Sequence, residues 1–208
     1  MPKDLVILAA DKNIEYMLRG VLSRPQALNV EPLVCDFFIH PEHDPGCLLK
    51  GVSFLGSFVN IYSHALILFD REGCGQEKLE RETLENNLEA DLANSGWGNR
   101  ASAIVLDPEL EVWVWSDSPH VEVALGWKDK QPNLKSWLVD KGFLKAQDIK
   151  PDRPKEAMEV ALREARKPRS SAIYQELARS VSFNRCSDLS FLKLRTTLEN
   201  WFSQNRNN

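Results

Sequence analysis

The chain has 208 residues, 43% of them hydrophobic and 27% charged, enough to bury a substantial core as one domain or as a domain with an appendage. No apolar run approaches the roughly 20 residues that cross a bilayer, which excludes a helical membrane span. Cys35, Cys47, Cys74 and Cys186 lie far apart without C-x-x-C pairing, which argues against both a disulfide framework and a structural zinc.

The net charge of −4 hides an asymmetry: residues 145–208 carry 13 basic and 8 acidic side chains, +5, leaving −9 for the rest. A basic region beside an acidic one suits a phosphate backbone, and a solvated helical surface accounts for the same count. Met1-Pro2-Lys3-Asp4 leads straight into an apolar run with no small-residue cleavage site behind it, so a cytoplasmic protein is expected.

Leu5-Val6-Ile7-Leu8-Ala9-Ala10 is a continuous apolar run ending at Asp11, the pattern of a buried strand. Residues 13–24 switch to helical spacing, with Ile14, Met17, Leu18, Val21 and Leu22 on one face and a stop at Pro25. Asp11 and Glu15, four residues apart, can approach one crevice; Asp11 also suits an N-cap and Glu15 a first-turn acid. Residues 30–39 read as a second strand. His40-Pro41-Glu42-His43-Asp44-Pro45-Gly46-Cys47 reads as a turn-rich polar loop, whose histidines and Asp44 are metal-capable but lack the helical spacing of a zinc motif. Residues 47–62 read as a helix packed on the sheet.

The central stretch is Ala65-Leu66-Ile67-Leu68-Phe69, followed at once by Asp70-Arg71-Glu72-Gly73-Cys74-Gly75. In an open α/β sheet, ligands bind at the carboxyl ends of strands. Two carboxylates flanking an arginine make an oxygen-rich site suited to a divalent cation such as Mg²⁺. The competing reading makes Asp70 a helix cap and Glu72 a solvated loop residue. Residues 76–94 read as a helix with Leu79, Leu84, Leu88 and Leu92 buried and an acidic outer face.

Ala103-Ile104-Val105-Leu106 is the next strand, ended by Asp107-Pro108-Glu109. Three strands thus end in acids, and carboxylates converging on one sheet edge repel unless a cation or raised pKa values relieve them. Residues 110–117 fit either a strand with Glu111, Trp113 and Trp115 on one face or a helix with Glu109 and Trp113 on one side. Beyond Pro119 come short helical units at 121–125, 134–139, 155–165, 171–180 and 189–202, punctuated by Pro151, Pro154 and Pro168. In Lys167-Pro168-Arg169-Ser170-Ser171, two cations and two hydroxyls precede a helix; that suits a phosphate, with Ser170 as simple N-cap the alternative.

Apolar runs alternating with helical segments predict an α/β fold with a mainly parallel sheet over residues 1–118. The strands ending at Ala10, Phe69 and Leu106 should lie parallel with their carboxyl ends together, and residues 119–208 should form a helical C-terminal region packed on them.

With these residues assembled, the chain resembles the Toprim family, the α/β metal-binding domain of primases, topoisomerases and nucleases of the overcoming-lysogenization-defect type. That family places an acid after its first strand and a D-x-D pair after a later one. Asp11 corresponds to the first acid, usually Glu, with Glu15 four residues on, and Asp70 and Glu72 correspond to the pair; Lys12 stands where the family often has glycine. Asp107-Pro108-Glu109-Leu110-Glu111-Val112-Trp113, followed by Asp117, resembles the acid-rich E-x-W segment of small bacterial Toprim-like proteins. From Asp70-Arg71-Glu72-Gly73-Cys74-Gly75 through Trp113-Val114-Trp115-Ser116-Asp117-Ser118-Pro119-His120 to Lys167-Pro168-Arg169-Ser170-Ser171, the chain is similar to an uncharacterised bacterial family associated with multi-gene, methylation-associated anti-phage defence operons.

The resemblance implies a Toprim-like nuclease or phosphoryl-transfer component of such a system, dependent on Mg²⁺ with Mn²⁺ as substitute. Asp11 and Glu15 would be catalytic, Asp70, Glu72, Glu109 and Glu111 metal ligands, and Lys167, Arg169 and Ser170 phosphate contacts. The rival is a noncatalytic Toprim-like subunit that recognises a partner or nucleic acid. Expected partners are nucleic acid and other proteins of a defence operon, without a membrane.

Overall fold

The computed structural model describes residues 3–203. Four strands, β1 (Lys3–Ala9), β2 (Cys35–Ile39), β3 (Tyr62–Asp70) and β4 (Ala101–Leu106), form one sheet in the order β2-β1-β3-β4, with every pairing parallel. Parallel pairing requires crossovers, which α1 (Lys12–Leu22) with the short α2 (Pro25–Leu28), α3 (His43–Gly56) and α4 (Arg81–Leu92) supply. Register places Ala9 opposite both Ile39 and Leu68, and Asp70 opposite Leu106. The chain therefore leaves β1, β3 and β4 on the same edge, the arrangement expected from their apolar runs. Leu5 to Ala10 and Ala65 to Phe69 are wholly buried because helices cover both sheet faces.

Several boundaries differ from the sequence reading. The second strand begins only at Cys35, after Pro32; Val30 instead makes an isolated antiparallel bridge to Ser203. The 40–47 segment is not a loop throughout, since α3 begins at His43 with Pro45 in its first turn, where a missing N–H costs nothing. His43 has φ +52° and its Nδ1–H donates to the Ala10 carbonyl at 3.1 Å, which ties the start of α3 to the end of β1. Gly46 is obligatory there, because a Cβ would run into the His40 ring. The acidic helix starts at Arg81 rather than 76, behind a turn in which Gly73 and Gly75 take φ of +86° and +87°. Residues 110–117 settle as a short 3₁₀ turn, Leu110–Trp113.

The exposed edge of β4 is closed by side chains. Glu89 accepts from the Ala103 N–H and the Ser102 hydroxyl, and Glu85 accepts from the Val105 N–H. Arg81 pairs with Glu85 at 2.6 Å, and Lys193 with Glu85 and Glu89 at 3.2 and 2.7 Å. An edge strand with its donors consumed does not recruit another strand.

The remaining helices are α5 (Pro119–Ala124), α6 (Leu134–Asp140), α7 (Pro154–Glu164), α8 (Ser171–Ser180) and α9 (Leu189–Phe202). They share one continuous core with the sheet layer. The closest packing is α1 on α8, where Gly20 lets the backbones approach; a Cβ there would lie 2.6 Å from Ala178 Cβ and 2.8 Å from the Gln175 carbonyl. Indole N–H groups pin the layer, Trp113 to Ser190 Oγ (2.8 Å), Trp115 to the Pro154 carbonyl (3.0 Å) and Trp127 to the Ala161 carbonyl (3.1 Å). Among the described residues, no helix is long and apolar enough to cross a membrane.

Candidate functional site

The carboxyl edge of the sheet gathers acids from four places in the chain. Asp11 follows β1 and is the N-cap of α1, one oxygen accepting from the Ile14 N–H at 2.9 Å and the other from Asn13 Nδ2 at 3.2 Å. Asp44, in the first turn of α3, accepts from the Asp70 N–H at 2.8 Å. Asp70 closes β3 and accepts from the Leu110 N–H at 2.9 Å. Glu111, in the 3₁₀ turn after β4, is buried beside them.

Two of the four, Asp70 and Asp44, are electrostatically strained. Burial, followed by the charges of Asp44, Glu111 and Asp11, pushes the Asp70 carboxyl well above its ordinary pKa of 3.8. Burial and the Asp11 charge likewise raise Asp44, although the Asp70 N–H partly offsets this. None of Asp11, Asp44 and Asp70 makes an ion pair among the described residues. One fixed N–H each is modest compensation for charges taken from water.

The C-terminal helices bring cations to the far side of the same group. Lys155, at the start of α7, pairs with Glu109 Oε2 at 3.2 Å, while its backbone N–H donates to Glu109 Oε1 at 3.0 Å. Burial and the Glu111 charge raise the Glu109 carboxyl, against the pull of Lys155. Burial works against the Lys155 charge too, but Glu109, Glu111 and Asp70 outweigh it and hold its pKa above the ordinary value. Glu111 Oε1 accepts from Arg169 at 2.7 Å and from the Tyr174 hydroxyl at 2.5 Å. Arg169 also pairs with Glu159.

Not every residue singled out in the sequence joins this group. Glu15, in the first turn of α1, is largely covered and paired with the exposed Arg19 at 2.8 Å. Glu72 is exposed beyond the end of β3, in the turn whose N–H bonds to the Pro108 carbonyl. Lys167 donates to the Ala124 carbonyl at 2.6 Å and approaches Glu176 at 3.9 Å. Ser170 takes the N-cap position of α8 without a side-chain cap bond, while Ser171 donates to Asn13 Oδ1 at 2.9 Å and so links α8 to the Asp11 corner.

Asp44, Lys155 and Tyr174 belong to the group without having been assigned a role from sequence. The sequence marks Asp44 only as a metal-capable residue of a loop, and the Asp44-Pro45 pair is also a helix-start pattern. Nothing local marks Lys155 or Tyr174, which arrive by tertiary packing.

The donor set is all carboxylate oxygen, the chemistry that Mg²⁺ prefers. As the side chains stand, however, no three His, Cys, Asp or Glu side chains among the described residues form a ready metal-holding group. Asp11 is spent on capping, and Glu109 and Glu111 are held by Lys155, Arg169 and Tyr174. No protein-family model matches this chain, and no curated protein or solved structure gives a significant match.

Proposed function

We propose that this chain is a Toprim-like, Mg²⁺-dependent nuclease or phosphoryl-transfer component of a bacterial anti-phage defence system, with its reactive centre at Asp70. The observation that carries the metal-site reading is the crowding of Asp70 by Asp44, Glu111 and Asp11 at the carboxyl edge of a parallel sheet. The Toprim and defence parts rest on the sequence resemblance. Asp70 and Asp44 would hold the cation, with Asp11 facing the same corner from the end of β1. When bound, Mg²⁺ polarises a phosphate and acidifies a coordinated water. The remaining work falls to the chain: Leu110 N–H fixes the Asp70 carboxyl, Asp70 N–H fixes Asp44, and Lys155 offers a positive charge beside Asp70.

A second reading, a noncatalytic Toprim-like subunit that recognises a partner or nucleic acid, is favoured by one observation: Glu109 and Glu111 are already neutralised within the fold. The two separate on purified protein incubated with single-stranded and duplex DNA and RNA, with and without millimolar Mg²⁺ or Mn²⁺, alone and with its operon partners. Metal-dependent cleavage abolished by Asp70→Asn supports the catalytic reading. Binding without cleavage under every condition supports the other.

A further inference from the structure

Two adjoining hollows open on the C-terminal region. The inner one, about 300 Å³, has an apolar wall made by Trp115, Val121 of α5, Leu134 and Leu138 of α6, Leu144 and Ile149. That volume stands at the low end of the roughly 300–1,000 Å³ of small-molecule sites. All of these side chains but Ile149 are buried, and the Trp115 ring is fixed by its N–H bond to the Pro154 carbonyl at 3.0 Å, so the wall is already formed. The outer hollow is more open; it shares Trp115, Ser116, Asp117 and Ile149 with the inner one and adds Lys150 and Arg185. Neither is lined by Asp11, Asp44 or Asp70.

Opposite charges stand beside this wall without neutralising each other. Arg185 donates one guanidinium N–H to the Asp117 main-chain carbonyl at 2.9 Å, yet among the described residues it pairs with no carboxylate, and the Asp117 carboxylate pairs with no cation. The Ser116 hydroxyl, where the hollows join, is shielded from solvent and has no hydrogen-bond partner among the described residues. Other charges lining the hollows are engaged: Lys150 with Asp188 at 3.3 Å, Asp148 with Lys145 at 4.0 Å, and Glu122 with the Leu134 N–H. Lys135, exposed on α6, adds a second unpaired cation. We propose that the two hollows together bind a free α-amino acid with a large apolar side chain. The side chain fills the inner hollow, the ammonium faces Asp117 and the carboxylate faces Arg185. A zwitterion suits the site because an anion alone leaves Asp117 unmatched and a cation alone leaves Arg185 unmatched. Rotation of the Ser116 hydroxyl toward the carboxylate would satisfy a polar group that the fold leaves orphaned.

Calorimetric titration of the full chain with L-leucine, L-methionine and L-phenylalanine tests this. At least one should bind, and at least about tenfold more tightly than L-alanine, whose methyl group leaves the inner hollow unfilled. For the tightest of the three, the N-acetyl derivative lacks the ammonium and the amide lacks the carboxylate. Each should bind about fivefold more weakly, the upper range for an exposed ion pair. Asp117→Asn should erase the preference over the N-acetyl derivative, and Arg185→Gln the preference over the amide. Both side chains are exposed, so neither change threatens the fold. Asp70→Asn should bind the amino acid as wild type does, which keeps this site separate from the metal reading. Binding of none of the three at millimolar concentration, or preferences that survive both Asp117→Asn and Arg185→Gln, overturns the proposal. An amide that binds as tightly as the free amino acid also overturns it and makes a peptide N-terminus the occupant.

Discussion

Two regions of this molecule press carboxylates against the same sheet and treat them in opposite ways. Along the β4 edge, Glu85 and Glu89 accept backbone N–H groups and are paired with Arg81 and Lys193. At the carboxyl end, Asp11, Asp44 and Asp70 also accept backbone N–H groups, yet no cation pairs with them among the described residues, and Asp70 and Asp44 have raised pKa values. A carboxylate recruited only to hold structure comes with its counter-charge. One left crowded by others of its kind stores repulsion that an added cation can release. Glu109 and Glu111 stand between the two cases, adjoining the crowded acids but matched by Lys155 and Arg169.

The comparison breaks if acid-to-amide changes act alike in both regions. Glu85→Gln should cost about 3 kcal/mol in urea unfolding, since it leaves the Arg81 and Lys193 charges without their buried partner. Gly20→Ala should cost about 1–3 kcal/mol by wedging α8 from α1, and it should loosen the Arg169–Glu111 contact that α8 supports. Asp70→Asn should act in the other direction, stabilising the metal-free protein at neutral pH by about 0.5–2 kcal/mol, while the amide oxygen still accepts from Leu110. Glu15→Gln, which breaks only the i,i+4 helix pair with Arg19, should move stability by about 0.3–0.5 kcal/mol.

The pH dependence sharpens the same contrast. A carboxyl whose folded pKa lies above its unfolded value keeps its proton longer in the native state, so stability falls as pH rises through that window and levels off above it. Wild type and Asp70→Asn should therefore be nearly equally stable below the ordinary Asp pKa of 3.8. The variant should gain on wild type as pH rises toward neutrality. A difference that shrinks with rising pH contradicts the crowding.

Sequence alone located the sheet and the edge where its acids gather, because strands buried on both faces are continuous apolar runs and their ends are abrupt. Asp11 and Asp70 were legible for that reason. Glu72 was misleading because a two-residue period holds only within a strand, and β3 ends at Asp70 before the chain turns through Gly73 at φ +86°. Asp44 was obscured by its prolines, which punctuate a loop and a helix start in the same way. Lys155, Arg169 and Tyr174 converge on Glu109 and Glu111 across 46 to 63 residues of chain, through the docking of α7 and α8, and no local pattern records such a contact. Residues 110–117 were ambiguous because a 3₁₀ turn shares the spacing of neither a strand nor an α-helix.

The central claim is that Asp70 belongs to a cation site rather than to a structural cap, and melting curves of wild type and Asp70→Asn across a Mg²⁺ series from zero to millimolar test it most directly. Ligand that binds only the native state raises its melting temperature by mass action. The wild type should rise with Mg²⁺; the variant should melt no lower than wild type without Mg²⁺ and rise less with it. Melting curves that Mg²⁺ leaves unmoved in both proteins, with Asp70→Asn the less stable of the two, would contradict the account and leave Asp70 a structural residue.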